Sequence, residues 1–380
     1  MRNVLVVVKY LPFYRLALFQ ELSSMIDPFY TIIGDLKSRE GIKPIPYNEV
    51  EGFNFKKSKS IFYYKSLQLW QTGIITRVLG NKYEVFILDG AISHISTWIF
   101  AIIGRITGKK IIFWSHGFKG VDTGIKKKIR TFFLKKLPHG LILYGDFSKN
   151  VMVAEGFNAE RIFVIGNSLD YNAQKKLRDS LLKKEFEIQT LKKSLFANHF
   201  KTLIFIGRLM PNKKIDKILD SLYNLEKKGV FLNCIIIGDG PDKSRLANMI
   251  KEYNLEDKVY FAGALYKEAE IAKLFLISDL MVSPGNVGLN CIHALAYGVP
   301  VITHDNFKYQ NPEVESIAPD KNGLLYSYND YVDMTNKIRL WFTEERNEVF
   351  YECLKPIEEK FNPIQHALNI NNAIKQIVNK

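Results

Sequence analysis

Short runs of β-branched and other apolar residues recur along the chain. Each is followed by a longer segment whose apolar residues return at helical spacing. In the first half the runs are "VLVVVK" (4–9), "YTIIGD" (30–35), "EVFILDG" (84–90), "KIIFWSHG" (110–117), "LILYGD" (141–146) and "IFVIGN" (162–167). Continuous apolar runs of this length predict parallel strands buried on both faces. Segments between them, such as "RLALFQELSSMI", predict amphipathic helices. A charged stretch at 171–200 follows, with Leu177, Leu181, Leu182 and Phe186 at helical intervals, and predicts a helical connection between two domains. The alternation then resumes with "TLIFIG" (202–207), "NCIIIGDG" (233–240), "VYFAG" (259–263), "DLMVSPG" (279–285), "PVITHD" (300–305) and "GLLYS" (323–327). Two consecutive strand and helix series predict two doubly wound α/β domains, at 1–170 and 201–360. A helix-like stretch at 361–380 has no strand after it.

Composition narrows this picture. At 380 residues, with 47% hydrophobic and 13% aromatic residues, the chain is long enough for two cores. Cys234, Cys291 and Cys353 lie far apart without CxxC spacing, which argues against a disulfide framework or a zinc site. The opening "MRNVLVVVKYLPFYR" places a charge inside its apolar run, unlike a secretory leader. "HISTWIFAIIGRITGKK" is interrupted by Arg105 before it reaches membrane-spanning length. These features predict a protein of the cytoplasm.

The charge is uneven. Residues 1–150 hold 23 Lys and Arg against 10 Asp and Glu, whereas the remainder holds 30 against 29. Nearly all of the net +14 therefore lies in the first part, densest in "KKKIRTFFLKK" at 126–136. Such a patch suits an anionic partner: lipid headgroups, a phosphorylated substrate or nucleic acid. No stacking platform or recognition-helix pattern accompanies it, so nucleic acid is not expected.

In open parallel sheets, ligands bind beyond the carboxyl ends of the strands. In the second half those positions hold Gly207-Arg208, Gly238-Asp239-Gly240-Pro241, Gly263, Ser283-Pro284-Gly285, and Gly288 ahead of "LNCIHALAYG". Gly288 and Leu289 are predicted to open a helix, whose free N–H groups and dipole attract phosphate. Arg208 and Lys213, in "GRLMPNKK", follow the first strand of this half and can serve as fixed cations for a diphosphate.

The ordered series "IGRLMPNKKIDKILDSL", "IIIGDGPDKSRL", "VYFAGALYKEAEIAKLFLISDLMVSPG" and "GLNCIHALAYGVPVI" resembles the C-terminal domain of the retaining GT-B glycosyltransferases of the large family-four (glycosyl transferases group 1) type. The match runs from about Thr202 to Gly323. The first half resembles that family more loosely, through the opening strand, "SHG" after a strand, and "IFVIGNSLD". The resemblance implies two Rossmann-like domains facing across a cleft, with the final helix crossing back to the first domain. The donor, a nucleoside diphosphate sugar, would sit on the second domain and the acceptor on the first. Carried over by position, Gly207, Arg208 and Lys213 with the backbone near Gly288 and Leu289 would bind the donor diphosphate. Residues after Gly263 would line the base pocket. His116, in "FWSHG", matches a histidine placed near the donor sugar. Tyr14, Arg15, Asp89 and Asn167 are further candidates for the acceptor or the cleft.

The sequence departs from the family where two glutamates, with seven residues between them, usually bracket the loop. Gly285 and His293 stand in their places. A histidine can hydrogen-bond a ribose hydroxyl, so His293 either keeps that role or is a packed helix residue. Gly285 offers no side chain, which passes the sugar contacts to Asn286 or Asn290. His304, Asp305 and Asn306 put further polar side chains at a strand's carboxyl end.

These readings imply a hexosyltransferase that works without a cofactor and uses a UDP-sugar, with a GDP-sugar as the alternative. No metal is expected, because no DxD-type carboxylate pair stands at a strand end. The basic first half and the apolar Phe132, Phe133 and Leu134 imply attachment to the anionic inner face of the cytoplasmic membrane. The acceptor would be a lipid-linked or soluble glycan in bacterial O-antigen or capsule synthesis. The competing function is a non-hydrolysing nucleotide-sugar epimerase of the same architecture.

Overall fold

The computed structural model describes residues 2–37, 43–63 and 67–379. The chain forms two compact units, one of Met1–Asp170 with Asn362–Lys380 and one of Tyr171–Phe361.

Among the described residues the first unit has nine strands: β1 (Asn3–Tyr10), β2 (Phe29–Asp35), β3 (Phe55–Lys57), β4 (Ser60–Tyr63), β5 (Leu67–Gln71), β6 (Val85–Asp89), β7 (Lys110–Ser115), β8 (Gly140–Leu143) and β9 (Ile162–Val164). Seven of them make a parallel sheet in the order β3-β2-β1-β6-β7-β8-β9, while β4 and β5 form a separate antiparallel pair. The apolar run of β1 explains its central place. Val4 and Val6 enter one core layer, Leu5 and Val7 the opposite one, as the two-residue period of a strand requires. The first layer is completed from the far end of the sequence. Helix Pro363–Val378 contributes Ala367, Ile370, Ala373, Ile374 and Ile377 to it. Asn362 caps that helix by accepting from the Gln365 amide at 2.9 Å. Contact with β8 is close: a Cβ on Gly140 would lie 2.5 Å from Ile377 Cδ1. Each buried isoleucine of this helix stabilises the layer by roughly 1.5–3 kcal/mol.

The second unit carries β10 (Lys201–Ile206), β11 (Leu232–Ile237), β12 (Val259–Gly263), β13 (Leu280–Ser283), β14 (Val301–His304) and β15 (Gly323–Tyr326). All pairs are parallel, in the order β12-β11-β10-β13-β14-β15. This is the nucleotide-binding order in which the sheet reverses direction beside its first strand. Helices Tyr171–Leu182 and Glu185–Leu195 occupy the stretch read as a helical connection, and both pack with this unit. Arg178 Nη1 donates to the Ala296 carbonyl at 2.8 Å, and Tyr171 donates to Glu358 at 2.8 Å. The apolar face expected there is only partly used. Leu181 is buried, whereas Phe186 is 85% exposed and Leu182 46% exposed. A break at 183–184 ends one helix before the pattern runs out.

All twelve expected strands are present, within a few residues of their apolar runs. The pattern missed β3 and the β4–β5 pair. β3 is three residues with two exposed lysines, and β4 is a four-residue strand whose short apolar run Ile61-Phe62-Tyr63 stays largely unburied, with only Ser60 buried.

Candidate functional site

Both sheets reverse at one place, and the candidate residues collect at the carboxyl side of each reversal. In the second unit that place lies between β10 and β13. Gly207 follows β10 with φ +152°, and Gly238 follows β11 with φ +146°. A Cβ on Gly238 would lie 1.9 Å from the Gly207 carbonyl oxygen, so the two loops meet backbone to backbone. Asn290 ties the loop after β13 to β10 by donating from Nδ2 to the Ile206 carbonyl at 2.6 Å.

The loop after β13 is pinned on every side. Gln310 Oε1 accepts from the Val287 amide at 3.0 Å, Tyr326 donates to the Pro284 carbonyl at 2.6 Å, and Lys213 Nζ donates to the Asn286 carbonyl at 2.7 Å. Gly288 turns the chain with φ +55°, and helix Asn290–Ala296 follows. The helix starts one residue later than Gly288 and Leu289 suggested. The amides of Gly288 and Leu289 donate to no group among the described residues. Arg208 is exposed and forms no ion pair among the described residues. Burial lowers the Lys213 pKa without a carboxylate beside it. Arg208 and Lys213 after β10 and two unengaged amides after β13 thus stand on the loops at the carboxyl side of this reversal.

The departures at the paired-glutamate positions have distinct physical reasons. A Cβ on Gly285 would lie 2.7 Å from the Asn212 carbonyl oxygen and 3.1 Å from Lys213 Cα. The backbone that brings Lys213 to the loop takes the space of any side chain at 285. His293 is buried and internally bound. Its Nε2 lies 2.8 Å from Glu268 Oε1, and its ring centroid is 4.9 Å from that of Phe275. The same carboxylate oxygen accepts from Tyr297 at 2.8 Å and from Gln174 at 3.1 Å. Sequence reasoning missed Glu268, Tyr297 and Gln174, which are ordinary helix residues with no local signal. Gly263 turns with φ +71°, and a Cβ there would meet nothing within 4 Å, so the space beyond β12 is open.

In the first unit the reversal lies between β1 and β6. A cavity of about 360 Å³ opens there, walled by the ends of β1, β6 and β7. Tyr14, Arg15, Asp89 and His116, four of the candidates, line it together. Arg15 is buried; its Nη2 donates to the Tyr144 hydroxyl, and its guanidinium centre lies 4.5 Å from the Trp114 ring centroid. His116 keeps an exposed edge and packs on Tyr144 with centroids 4.6 Å apart. The protein crowded around it, then the charges of Lys119, Arg15 and Arg130, hold its pKa down to about 4. Asp89 lies 3.4 Å from His94 Nδ1 and accepts from the Ala91 amide at 3.1 Å.

Asn167 lies outside the wall of this cavity. It is buried, and its Oδ1 accepts from the Ser168 amide at 3.0 Å. Ser168 in turn meets His366 at 3.0 Å, and His366 packs edge-on against Trp114. Asn167 therefore sits in the support behind the cavity. Trp114 and Tyr144 were missed as wall residues, although both stand at strand carboxyl ends, where the topological rule directs attention.

Known proteins share this fold. The 380-residue chain resembles HepE of Anabaena, solved in complex with UDP, at a TM-score of 0.70 and 16% identity, over 99% of this chain and 100% of that one. A glycosyltransferase of Rickettsia africae superposes at a TM-score of 0.75 and 15% identity, over 99% and 98%. These likenesses show the GT-B fold. Among curated proteins, the poly(ribitol-phosphate) alpha-N-acetylglucosaminyltransferase of Staphylococcus aureus is 26% identical over 60% of this chain and 42% of its own length. The phosphatidylinositol N-acetylglucosaminyltransferase gpi3 subunit of Schizosaccharomyces pombe is 22% identical over 67% and 54%. The chain spans about half the length of these curated relatives. Residues 187–353 match the family described as Glycosyl transferases group 1, on a chain with the GT-B fold.

Proposed function

We propose that this protein is a glycosyltransferase that moves a sugar from a nucleoside diphosphate sugar to an acceptor hydroxyl, with retention at the anomeric carbon. The observation that carries the reading is the donor set at the β10/β13 reversal: Arg208, Lys213 and the unengaged amides of Gly288 and Leu289. Breaking the anomeric C–O bond builds negative charge on the leaving diphosphate. Fixed cations and amides aimed at that charge lower the barrier, the electrostatic term that usually dominates. The leaving phosphate can itself take the acceptor's proton. His116, neutral at ordinary pH, orients or polarises the reacting sugar.

UDP is the favoured nucleotide, because HepE and a pneumococcal O-GlcNAc transferase were solved in complex with UDP. The acceptor is a glycan or lipid-linked glycan of a bacterial surface polysaccharide. Curated relatives in this range include a putative colanic acid biosynthesis glycosyltransferase of Escherichia coli and an amylovoran biosynthesis glycosyltransferase of Erwinia amylovora.

Attachment to the inner membrane face has a surface to support it. No helix among the described residues is long and apolar enough to cross a membrane. Of the apolar residues expected to face lipid, Phe133 and Leu134 are buried in the core, and helix Gly124–Lys136 instead exposes Phe132 with Ile125 and Ile129, spaced four and three residues apart on one face. Lys126, Lys128 and Lys136 flank them, the pattern of a helix lying in a lipid interface.

The test is incubation of the purified chain with a panel of nucleoside diphosphate sugars, following binding by thermal shift and products by mass. A donor that binds, with Arg208→Ala weakening it, supports the reading. Conversion of donor to a modified free nucleotide sugar without acceptor would favour the epimerase instead.

A further inference from the structure

We propose that the cavity between β1 and β6 receives an oxyanion carried by the acceptor, a carboxylate or a phosphate ester, and that Arg15 is the residue that holds it. The inference rests on the glycosyltransferase reading only in calling the ligand an acceptor.

Arg15 is 9% exposed, and no Asp or Glu pairs with it among the described residues. One N–H group goes to Tyr144, but Nη1 has no hydrogen-bond partner among the described residues. Its remaining neighbours are aromatic faces: Trp114 at 4.5 Å, Tyr144 at 5.3 Å and Tyr14 at 5.7 Å from the guanidinium centre. Trp114 Nε1 is a second buried donor without an acceptor in the same wall. A buried charge without a counter-ion costs several kcal/mol, and cation–π contacts return only part of that. If the position served packing alone, an apolar side chain would fill it without that cost.

The carboxylates near the cavity do not supply the missing partner. Asp89 is engaged by His94 and the Ala91 amide, and Asp122 pairs with Arg130. Lys9 and Arg130 also line the cavity, and Lys119 lies near His116. A planar guanidinium fork fits a carboxylate or phosphate in a way that a lysine does not. At about 360 Å³ the cavity is within the range of small-molecule sites and has room for a group larger than the anion itself.

The experiment measures binding of paired small probes to the full chain by ligand-observed NMR: glucuronate against glucose, and glycerol 3-phosphate against glycerol, with UDP as a separate ligand. The expected result is that one anion binds the wild type about tenfold more tightly than its neutral partner. Arg15→Met should abolish that preference with the UDP affinity unchanged, and Arg15→Lys should retain part of it. Which pair shows the preference distinguishes carboxylate from phosphate. Equal binding of anion and neutral probe to the wild type overturns the proposal without any variant. So does a preference that survives Arg15→Met, or a UDP affinity that falls with the same substitution. If UDP fails to bind the wild type while the anion preference holds, it is the glycosyltransferase reading that fails.

Discussion

His293 Nε2 sits 2.8 Å from Glu268 Oε1, so the residue standing where the family's second glutamate is expected is held by a glutamate from another helix. Burial pushes the Glu268 pKa up, but the His293 charge and the hydrogen bonds from His293, Tyr297 and Gln174 outweigh it and hold the pKa near about 2, against an ordinary 4.5. A depressed carboxylate pKa adds stability that is present in full above 4.5 and fades as pH falls towards about 2.

The cluster therefore predicts an acid-sensitive second unit. Glu268→Gln should lower the thermal midpoint at pH 7 and flatten its fall between pH 4.5 and about 2. Because the carboxylate is 39% exposed, the expected loss is about 1 kcal/mol rather than the larger figure of a buried pair. Parallel melting curves of the two proteins across that range would contradict the assignment.

Arg208→Ala and Lys213→Met should weaken UDP binding, each by roughly 1.5–3 kcal/mol, as for a charge-assisted hydrogen bond. Calorimetric titration with UDP checks this. Lys213→Met should also loosen the 283–290 loop, because Nζ anchors the Asn286 carbonyl. The Arg208 effect should come without loss of stability, since that side chain supports nothing else.

Restoring a side chain at Gly285 should harm the protein. Its Cβ would meet the Asn212 carbonyl oxygen at 2.7 Å, and the overlap should cost about 1–3 kcal/mol. Gly285→Ala should thus lower the melting temperature by several degrees, at about 2–4 °C per kcal/mol for a unit of this size. A wild-type midpoint for Gly285→Ala would refute the packing argument.

His116 should titrate far below neutrality. Crowding and the neighbouring cations bring its pKa down to about 4. The folded state thus favours the neutral ring, and the stability this ring provides is complete above about 6.5 and is lost as pH falls through about 4. NMR titration of the ring proton, assigned with His116→Gln, should show an inflection near pH 4 and none between 6 and 8.

Helix Gly124–Lys136 offers a separate test of membrane attachment. Replacing both Ile129 and Phe132, which are 45% and 55% exposed, with Ser should reduce co-sedimentation with anionic vesicles and leave UDP affinity unchanged. Equal sedimentation of wild type and variant would remove the helix from the proposal.

Much of this was legible in the sequence because the signals are local. Apolar runs of six residues marked the buried strands, and glycines at strand ends marked the loops whose backbones approach closely. Tyr14, Arg15 and Asp89 were candidates because they follow strands and His116 because of the family resemblance; the structure brings all four to one cavity. What could not be read depends on distant pairing. Nothing near His293 announces Glu268, 25 residues earlier. Nothing near Gly285 announces that the Asn212 backbone fills its space. Asn167, expected at the cleft floor because it precedes the helical connection, is buried with its Oδ1 accepting from the Ser168 amide.

The helix Pro363–Val378 packs its isoleucines into the sheet formed by the chain's opening residues. During synthesis, that sheet must wait with one face uncovered while the entire second unit is being made. Of the two units, the one whose synthesis starts earlier is thus the later to close. A stop codon that removes only this terminal segment should expose the β1 layer and send the shortened product to aggregation or degradation, although every strand of both sheets would still be encoded.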